Sequence, residues 1–290
     1  GRVSAADRPR ADRVTVGTQA SGRPRRTAAP PGRAGAMTGV LRVLEGHLVV
    51  YRRTWRGNVF TTFINPVLFL SAMGLGLGSL VDRGDDLGSV SYLTFYASGL
   101  LAANAMQTGV GDAAFPVMAG FKWTKSYHTA LATPISVGDL VLGQAAFILF
   151  RIALAAFAFA VAAAAFGAFS LADGFAALPI ALLCGLAYAL PMMAFTASRE
   201  NETALITVFR FGLVPMFLLS GTFFPLDQLP TWLQAVARFV PLWHAIELVR
   251  AITLHDPSTW PTAAHVAYLV LWLAVGAWLA PRFFRRRLVM

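Results

Sequence analysis

Long uncharged stretches separated by short polar gaps set the pattern of this chain. No Asp, Glu, Lys or Arg occurs over 57–81, 87–111, 174–198 or 257–281. Two further apolar runs complete the series: Leu140–Leu171, interrupted only by Arg151, and the shorter Phe211–Leu226. A bilayer core about 30 Å thick is crossed by roughly 20 apolar helical residues. The pattern therefore predicts an all-α integral membrane protein with six transmembrane helices over 59–290.

Ahead of the first span, Leu41, Leu44, Leu48, Tyr51 and Trp55 recur at spacings of three and four. Arg42, Glu45, Arg52, Arg53 and Arg56 fall on the other side. A helix with a basic face and an aromatic-edged apolar face lies in the membrane interface, so residues 37–58 are expected as an interfacial amphipathic helix. A plain cytoplasmic extension of the first span is the alternative. Residues 1–36 are rich in Arg, Ala, Gly and Pro with almost no large apolar side chains. Such a segment cannot bury enough surface to fold. It reads as a disordered basic leader, as residues preceding a true start at Met37, or as an arm drawn to anionic lipid.

Charge settles the expected orientation. With the N-terminus inside, the cytoplasmic segments carry 20 of the 24 Lys and Arg, and the outside segments only Arg83, Arg238 and Arg250. Cytoplasmic loops are enriched in these residues, so both termini are expected in the cytoplasm. The formal net charge is +10. It collects before the first span and leaves the remainder nearly neutral, which argues against nucleic acid as a partner.

Several segments carry candidate function. At the end of the first span, Gly74 and Gly78 have a GxxxG spacing that lets helices approach closely, and residues 82–86 mark an outside turn. The second span carries Asn104, Gln107, Thr108 and Asp112, and the third carries Arg151 far from either end. Polar groups in hydrocarbon usually face a bundle interior or a wet cavity. Asp112 is the expected partner of Arg151, either as a structural pair or on a substrate path. Between these spans, Phe121–Leu131 forms a short amphipathic inside run containing Lys122, Trp123, Lys125, Tyr127 and His128. Thr133-Pro134 ends it, because proline stops a helix, and Ser136 with Asp139 can cap the next one. After the fifth span, residues 220–261 are too apolar for an outside loop and too broken by Pro225, Pro230 and Pro241 for a straight span. Two short helices, Thr231–Phe239 and Leu242–Leu254, are expected to dip into the outer leaflet as a re-entrant pair.

No catalytic signature is present. A Walker A loop needs GK followed by Ser or Thr. The two lysines here follow Phe121 and Thr124, and HExxH, CxxC and GxSxG are absent as well. The five histidines look dispersed, with His244 and His265 in interfacial or capping roles, and the single Cys184 forms no thiolate cluster. No metal site and no catalytic residue are expected. An ion-coupled secondary transporter would show repeats with helices broken at the midplane. A membrane enzyme or assembly factor would need a convergent acid, base or metal cluster. Neither pattern is visible.

Taken in order, these segments resemble the permease subunit of type-2 ABC exporters, in particular the nodulation-protein-J and daunorubicin-resistance branch. The resemblance covers about residues 40–287. Its most specific matches are Ser220, Gly221, Phe224, Pro225, Asp227, Leu229 and Pro230 in SGTFFPLDQLP, with Pro241 and His244 after them. It implies a multi-pass protein of the bacterial plasma membrane. The 120–134 loop would be a coupling helix docking on an ATPase, and 220–254 would shape an exit. The implied partners are two cytoplasmic ATPase subunits that hold ATP and Mg, and a second permease, identical or paralogous. The implied cargo is a hydrophobic drug or a lipid-linked saccharide.

Overall fold

The computed structural model describes residues 36–72 and 91–289, together with Gly1 and Gly76. Residues 2–35 of the expected leader, the Gly74–Gly78 spacing and the outside turn at 82–86 lie outside the described residues. All regular elements among the described residues are helical. In chain order they are α1 (Ala36–Leu70), α2 (Tyr92–Lys122), α3 (Ser126–Leu131), α4 (Val137–Ala165) and α5 (Leu171–Ala197). There follow α6 (Thr203–Val208), α7 (Val214–Leu219), α8 (Thr231–Arg238), α9 (Pro241–Thr253) and α10 (Thr262–Val289).

Three of these, α4, α5 and α10, are long and apolar enough to cross a membrane. At 1.5 Å per residue each is about 40 Å long, beyond the roughly 30 Å of hydrocarbon. The 31-residue α2 is as long but carries the polar group Asn104, Gln107, Thr108 and Asp112. Helix starts are built as the sequence indicates. Ser136 accepts from the Asp139 N–H at 3.1 Å while Asp139 accepts from the Ser136 N–H at 3.0 Å, a full capping box for α4. Ser170 accepts from the Asp173 N–H at 3.1 Å at the start of α5.

The central element is α5, which packs on α2, α4, α9 and α10. Its inner face is nearly all small: Gly174, Ala177, Ala181, Cys184, Gly185 and Ala189 are buried. Apolar transfer supplies little drive between helices in lipid, so close backbone approach takes its place. At Gly109 of α2 a Cβ would stand 2.5 Å from the Gly185 carbonyl oxygen, and at Gly276 of α10 it would stand 2.5 Å from the Pro191 nitrogen. Only glycine fits at either crossing. The Pro191 ring, whose nitrogen cannot donate a hydrogen bond inside α5, faces Gly276 of α10.

Three expected boundaries shift. Residues 37–58 and the beginning of the expected first span form one continuous helix, so Asn58 marks no break. Gly57, the one weak helix former at that junction, costs only about 1 kcal/mol. The face of α1 that packs on α4 shares only Tyr51 with the Leu41–Trp55 stripe expected to face the membrane interface. Gly39 lies against Asp139, Val43 against Gly143, His47 stacks on Phe147, and Tyr51 meets Phe147 and Phe150 edge-on. Leu41 and Trp55 remain about half exposed. The single run expected over Phe121–Leu131 is divided between α2 and α3. Lys125 takes a left-handed φ of 50°, and the Thr124 N–H and hydroxyl both donate to the Ala119 carbonyl, ending α2. The fifth apolar helix begins at Thr203 rather than Phe211, passes through a π-helical turn at Phe209–Leu213, and stops at Ser220. A charge such as Arg210 does not limit a helix, because arginine is a good helix former. Gly221 at φ 81° ends it, as a left-handed glycine commonly ends a helix.

Candidate functional site: a polar pair between two clamped ends

Three groupings of the sequence-derived residues sit along the bundle: one at each end and one between them. At one end, α3 is fixed to the bundle from beneath. The Tyr127 hydroxyl donates to Gln144 Oε1 of α4 at 3.0 Å. Its ring packs on Phe121 of α2 and Phe284 of α10, with centroids 4.8 and 5.6 Å away. Phe121 and Tyr127 are buried, so these two members of the expected docking loop are anchors. Gly120 makes room for the Tyr127 ring, which a Cβ there would approach to 2.6 Å. Lys122, Trp123, Lys125, His128, Thr133 and Pro134 are exposed and form the outward surface. Lys122 Nζ pairs with Glu202 Oε2 at 3.2 Å just before α6. The Glu202 backbone and then Lys122 hold that carboxyl below its usual range. Arg287 of α10 donates to the Thr196 carbonyl at 3.0 Å, a carbonyl in the last turn of α5 that also accepts from the Arg199 N–H, and lies over the Phe121 ring.

Between the ends, Arg151 Nε donates to Asp112 Oδ2 at 3.0 Å. The two side chains are 18% and 20% exposed. The guanidinium also lies 5.3 Å from the centre of the Tyr51 ring, so α1, α2 and α4 meet at this charge. Asn104 donates to the Ala155 carbonyl of α4 at 3.3 Å, two turns away on the same side of α2. Gln107 is exposed and stands apart from this group. The structure thus pairs Asp112 with Arg151 and places Asn104 two turns away on the same α2–α4 interface, without Gln107.

At the other end the SGTFFPLDQLP run folds as a linked series of turns. The Ser220 hydroxyl donates to the Phe217 carbonyl at 2.8 Å and lies 2.8 Å from the Thr222 hydroxyl. Arg250 of α9 reaches back, donates to the Gly221 carbonyl at 2.6 Å, and covers the Phe95 ring of α2 at 3.7 Å. Phe224 is half-buried, Pro225 precedes a 3₁₀ turn at Leu226–Gln228, and Asp227 is exposed. Gln234 of α8 ties down the Leu229 carbonyl at 2.9 Å. Pro230 and Pro241 open α8 and α9, whose bounds fall close to those expected from the sequence. The Leu242 N–H donates to the Tyr188 hydroxyl of α5 at 3.1 Å.

His244 and His265, expected to be apart, touch. Their Nδ1 atoms are 2.9 Å apart, and His244 Nε2 is 3.0 Å from the Arg238 carbonyl. That carbonyl can only accept, so His244 carries its proton on Nε2 and His265 donates from Nδ1. Trp243, Trp260 and Tyr268 pack around the pair. Spacing along the chain gives no warning of this contact. The one available signal is that each histidine stands three or four residues after a helix-opening proline, Pro241 and Pro261. Spacing likewise gives no sign of Arg250, Tyr188, Gln144 and Arg287, each a long polar side chain reaching a backbone or side-chain partner in another element.

An apolar crevice of about 200 Å³ lies beside the π-helical turn, lined by Val110, Tyr188, Phe195, Leu213, Met216 and Trp272 among others. Among the described residues no group of three or more His, Cys, Asp or Glu could hold a metal ion.

Comparison with known proteins gives the family. The description "ABC-2 type transporter" matches residues 40–254. Nodulation protein J of Rhizobium leguminosarum bv. trifolii is 31% identical over 247 residues, covering 85% of this chain and 93% of that protein. Nodulation protein J of Rhizobium meliloti is 30% identical, again over 85% and 93% of the two chains. The protein of the same name from Sinorhizobium fredii is 31% identical over 249 residues, 83% of this chain and 94% of its own length. The family match takes in α1 through α9, including the loop that forms α3 and the turns at Ser220–Pro230, and the chain belongs to the ABC-2 type transporter family.

Proposed function

We propose that this chain is the membrane-spanning subunit of an ATP-driven exporter in the bacterial inner membrane, working with two ATPase subunits and a second permease, identical or paralogous. Both termini and α3 face the cytoplasm, α8 and α9 form the re-entrant pair near the outer surface, and the helices cross six times. The observation that carries this reading is the construction of α3. A short helix is anchored by Tyr127 against Phe121 of α2, while Trp123 and Lys125 just before it and His128 within it are left exposed at the end opposite α8 and α9. A force applied to that surface passes into α2, α4 and α10 through the Tyr127 contacts. ATP and Mg would be held by the partner chain.

The cargo in this reading is amphipathic, a hydrophobic drug or a lipid-linked saccharide. The apolar crevice beside the π-helical turn offers surface to an alkyl chain and almost nothing to an ion. The test is reconstitution of the chain with its ATPase in liposomes. ATP-dependent movement of labelled substrate, abolished when the ATPase is inactivated and insensitive to collapse of ion gradients, is expected. Movement that follows an ion gradient without ATP would replace this reading with secondary transport.

A further inference from the structure

One exposed face of α10 changes character along its length. Leu271, Val275 and Trp278 are exposed, and so, on the same face, are Arg282, Arg285 and Arg286. Their positions follow the three-and-four spacing of a single helical stripe. Among the described residues no carboxylate is in ion-pair distance of these three arginines, and a depression of about 450 Å³ lies between them, Trp278 and Phe283. Arg282 stacks over the Trp278 ring at 3.5 Å and donates to the Trp278 carbonyl, which fixes its guanidinium beside the depression.

We infer that this face binds an anionic phospholipid of the cytoplasmic leaflet, its phosphate among Arg282, Arg285 and Arg286 and an acyl chain along Trp278, Val275 and Leu271. The inference rests on the reading above for which end of α10 is cytoplasmic. Leu271 to Arg282 spans about 16 Å of helix, and one leaflet of hydrocarbon is about 15 Å deep. The apolar track therefore matches one chain and the arginines fall at head-group level. Tryptophan at the junction is the side chain expected there. Basic pockets at the cytoplasmic ends of spans attract anionic head groups. A soluble ATPase would engage the arginines but has no access to Val275 and Leu271. A second copy paired through this face about an axis along the membrane normal would set arginines against arginines at one depth, since a two-fold contact is self-complementary.

The test uses the purified full chain in detergent and native mass spectrometry. Phosphatidylglycerol and phosphatidylcholine with identical acyl chains are compared, with glycerol phosphate as the head group alone. Phosphatidylglycerol is expected to be retained in preference to phosphatidylcholine. The Arg285→Gln/Arg286→Gln variant should bind it roughly thirtyfold more weakly, from the contribution of two basic residues near a charged surface. Arg282 is left in place because its bond to Trp278 belongs to the helix. Trp278→Ala should weaken lipid retention while keeping the charge. Equal retention of the two lipids, or unchanged binding by the double variant, overturns the inference. Displacement by millimolar glycerol phosphate would mean a soluble-anion site and overturns the lipid assignment too. A larger rise in thermal midpoint of the unmodified chain with phosphatidylglycerol than with phosphatidylcholine is expected independently of any variant. No ATPase enters these measurements, so their failure leaves the export reading intact, and failure of transport leaves lipid binding standing.

Discussion

Replacing Arg151 by Met removes the one charge that α1, α2 and α4 share. The change is nearly volume-conserving, so its effect is electrostatic. It leaves the Asp112 carboxylate without its 3.0 Å donor in a site one-fifth open to solvent. Breaking a sealed pair from one side costs about 3–5 kcal/mol; the partial exposure places this one near the lower bound, about 3 kcal/mol. For a chain of this size that corresponds to a fall of roughly 6–12 °C in thermal midpoint. Asp112→Asn should cost a similar amount, because it strands the guanidinium instead. The double variant Arg151→Met/Asp112→Asn strands neither and should recover at least half the loss, a coupling of about 2 kcal/mol or more between residues in contact. The assay is a fluorescence-detected melt of the detergent-solubilised chain, run on all four proteins in one buffer. Midpoints of the double variant equal to the sum of the two single losses would refute the pairing. Recovery of stability without recovery of transport would assign the pair to the substrate path as well as to the fold.

Other consequences are checked more simply. Trp123→Ala/Lys125→Ala should reduce capture of the ATPase at least several-fold with no change in membrane level, whereas Tyr127→Phe should leave Gln144 Oε1 unpaired and lower stability by about 1–2 kcal/mol; a blue-native gel and a melt separate the two outcomes. Gly276→Ala places a methyl against the Pro191 backbone and should lower stability by about 1–3 kcal/mol, as overpacking does, while Gly57→Ala, where the added methyl would meet no atom within 4 Å, should not. His244→Phe removes both ends of a buried hydrogen-bonded link and should lower the thermal midpoint while ATPase capture stays unchanged; unaltered melting would mean the histidine contact carries no stability.

Much of this architecture is legible in the residues because it follows from local rules. The Ser136 and Asp139 pair, the proline openings of α8 and α9 and the apolar length of α4, α5 and α10 need no knowledge of neighbours. Asp112 and Arg151 could be matched because charges in hydrocarbon require partners and few are available. The misplaced boundaries have a common cause. A charge bounds an apolar run but not a helix: Arg210 continues one, and Gly57 interrupts none. The Leu41–Trp55 stripe, an apolar face for the membrane interface, does not tell which face of α1 meets protein. Large apolar residues on a membrane helix can face lipid, while the face turned to protein is marked by Gly39, Val43 and His47, whose size matters more than their hydropathy. The histidine contact and the reach of Arg250 and Arg287 depend on residues 21 to 91 positions apart, which no periodicity encodes.

The last helix touches both clamped ends. Near its start His265 holds α9 through His244, and near its finish Phe284 and Arg287 hold the ring of Tyr127 and the end of α5. At 1.5 Å per residue these attachment points are about 30 Å apart. A continuous helix fastened at two such distant points can act as a lever, with its fulcrum at the tight Gly276–Pro191 crossing near the middle and its weakest turn at Pro281. A tilt of about 10° about that crossing would carry each end roughly 2–3 Å in opposite directions, on the 1.5 Å rise of an unbroken helix. That is the width of one hydrogen bond, enough to make or break the histidine contact from the far side of the bundle.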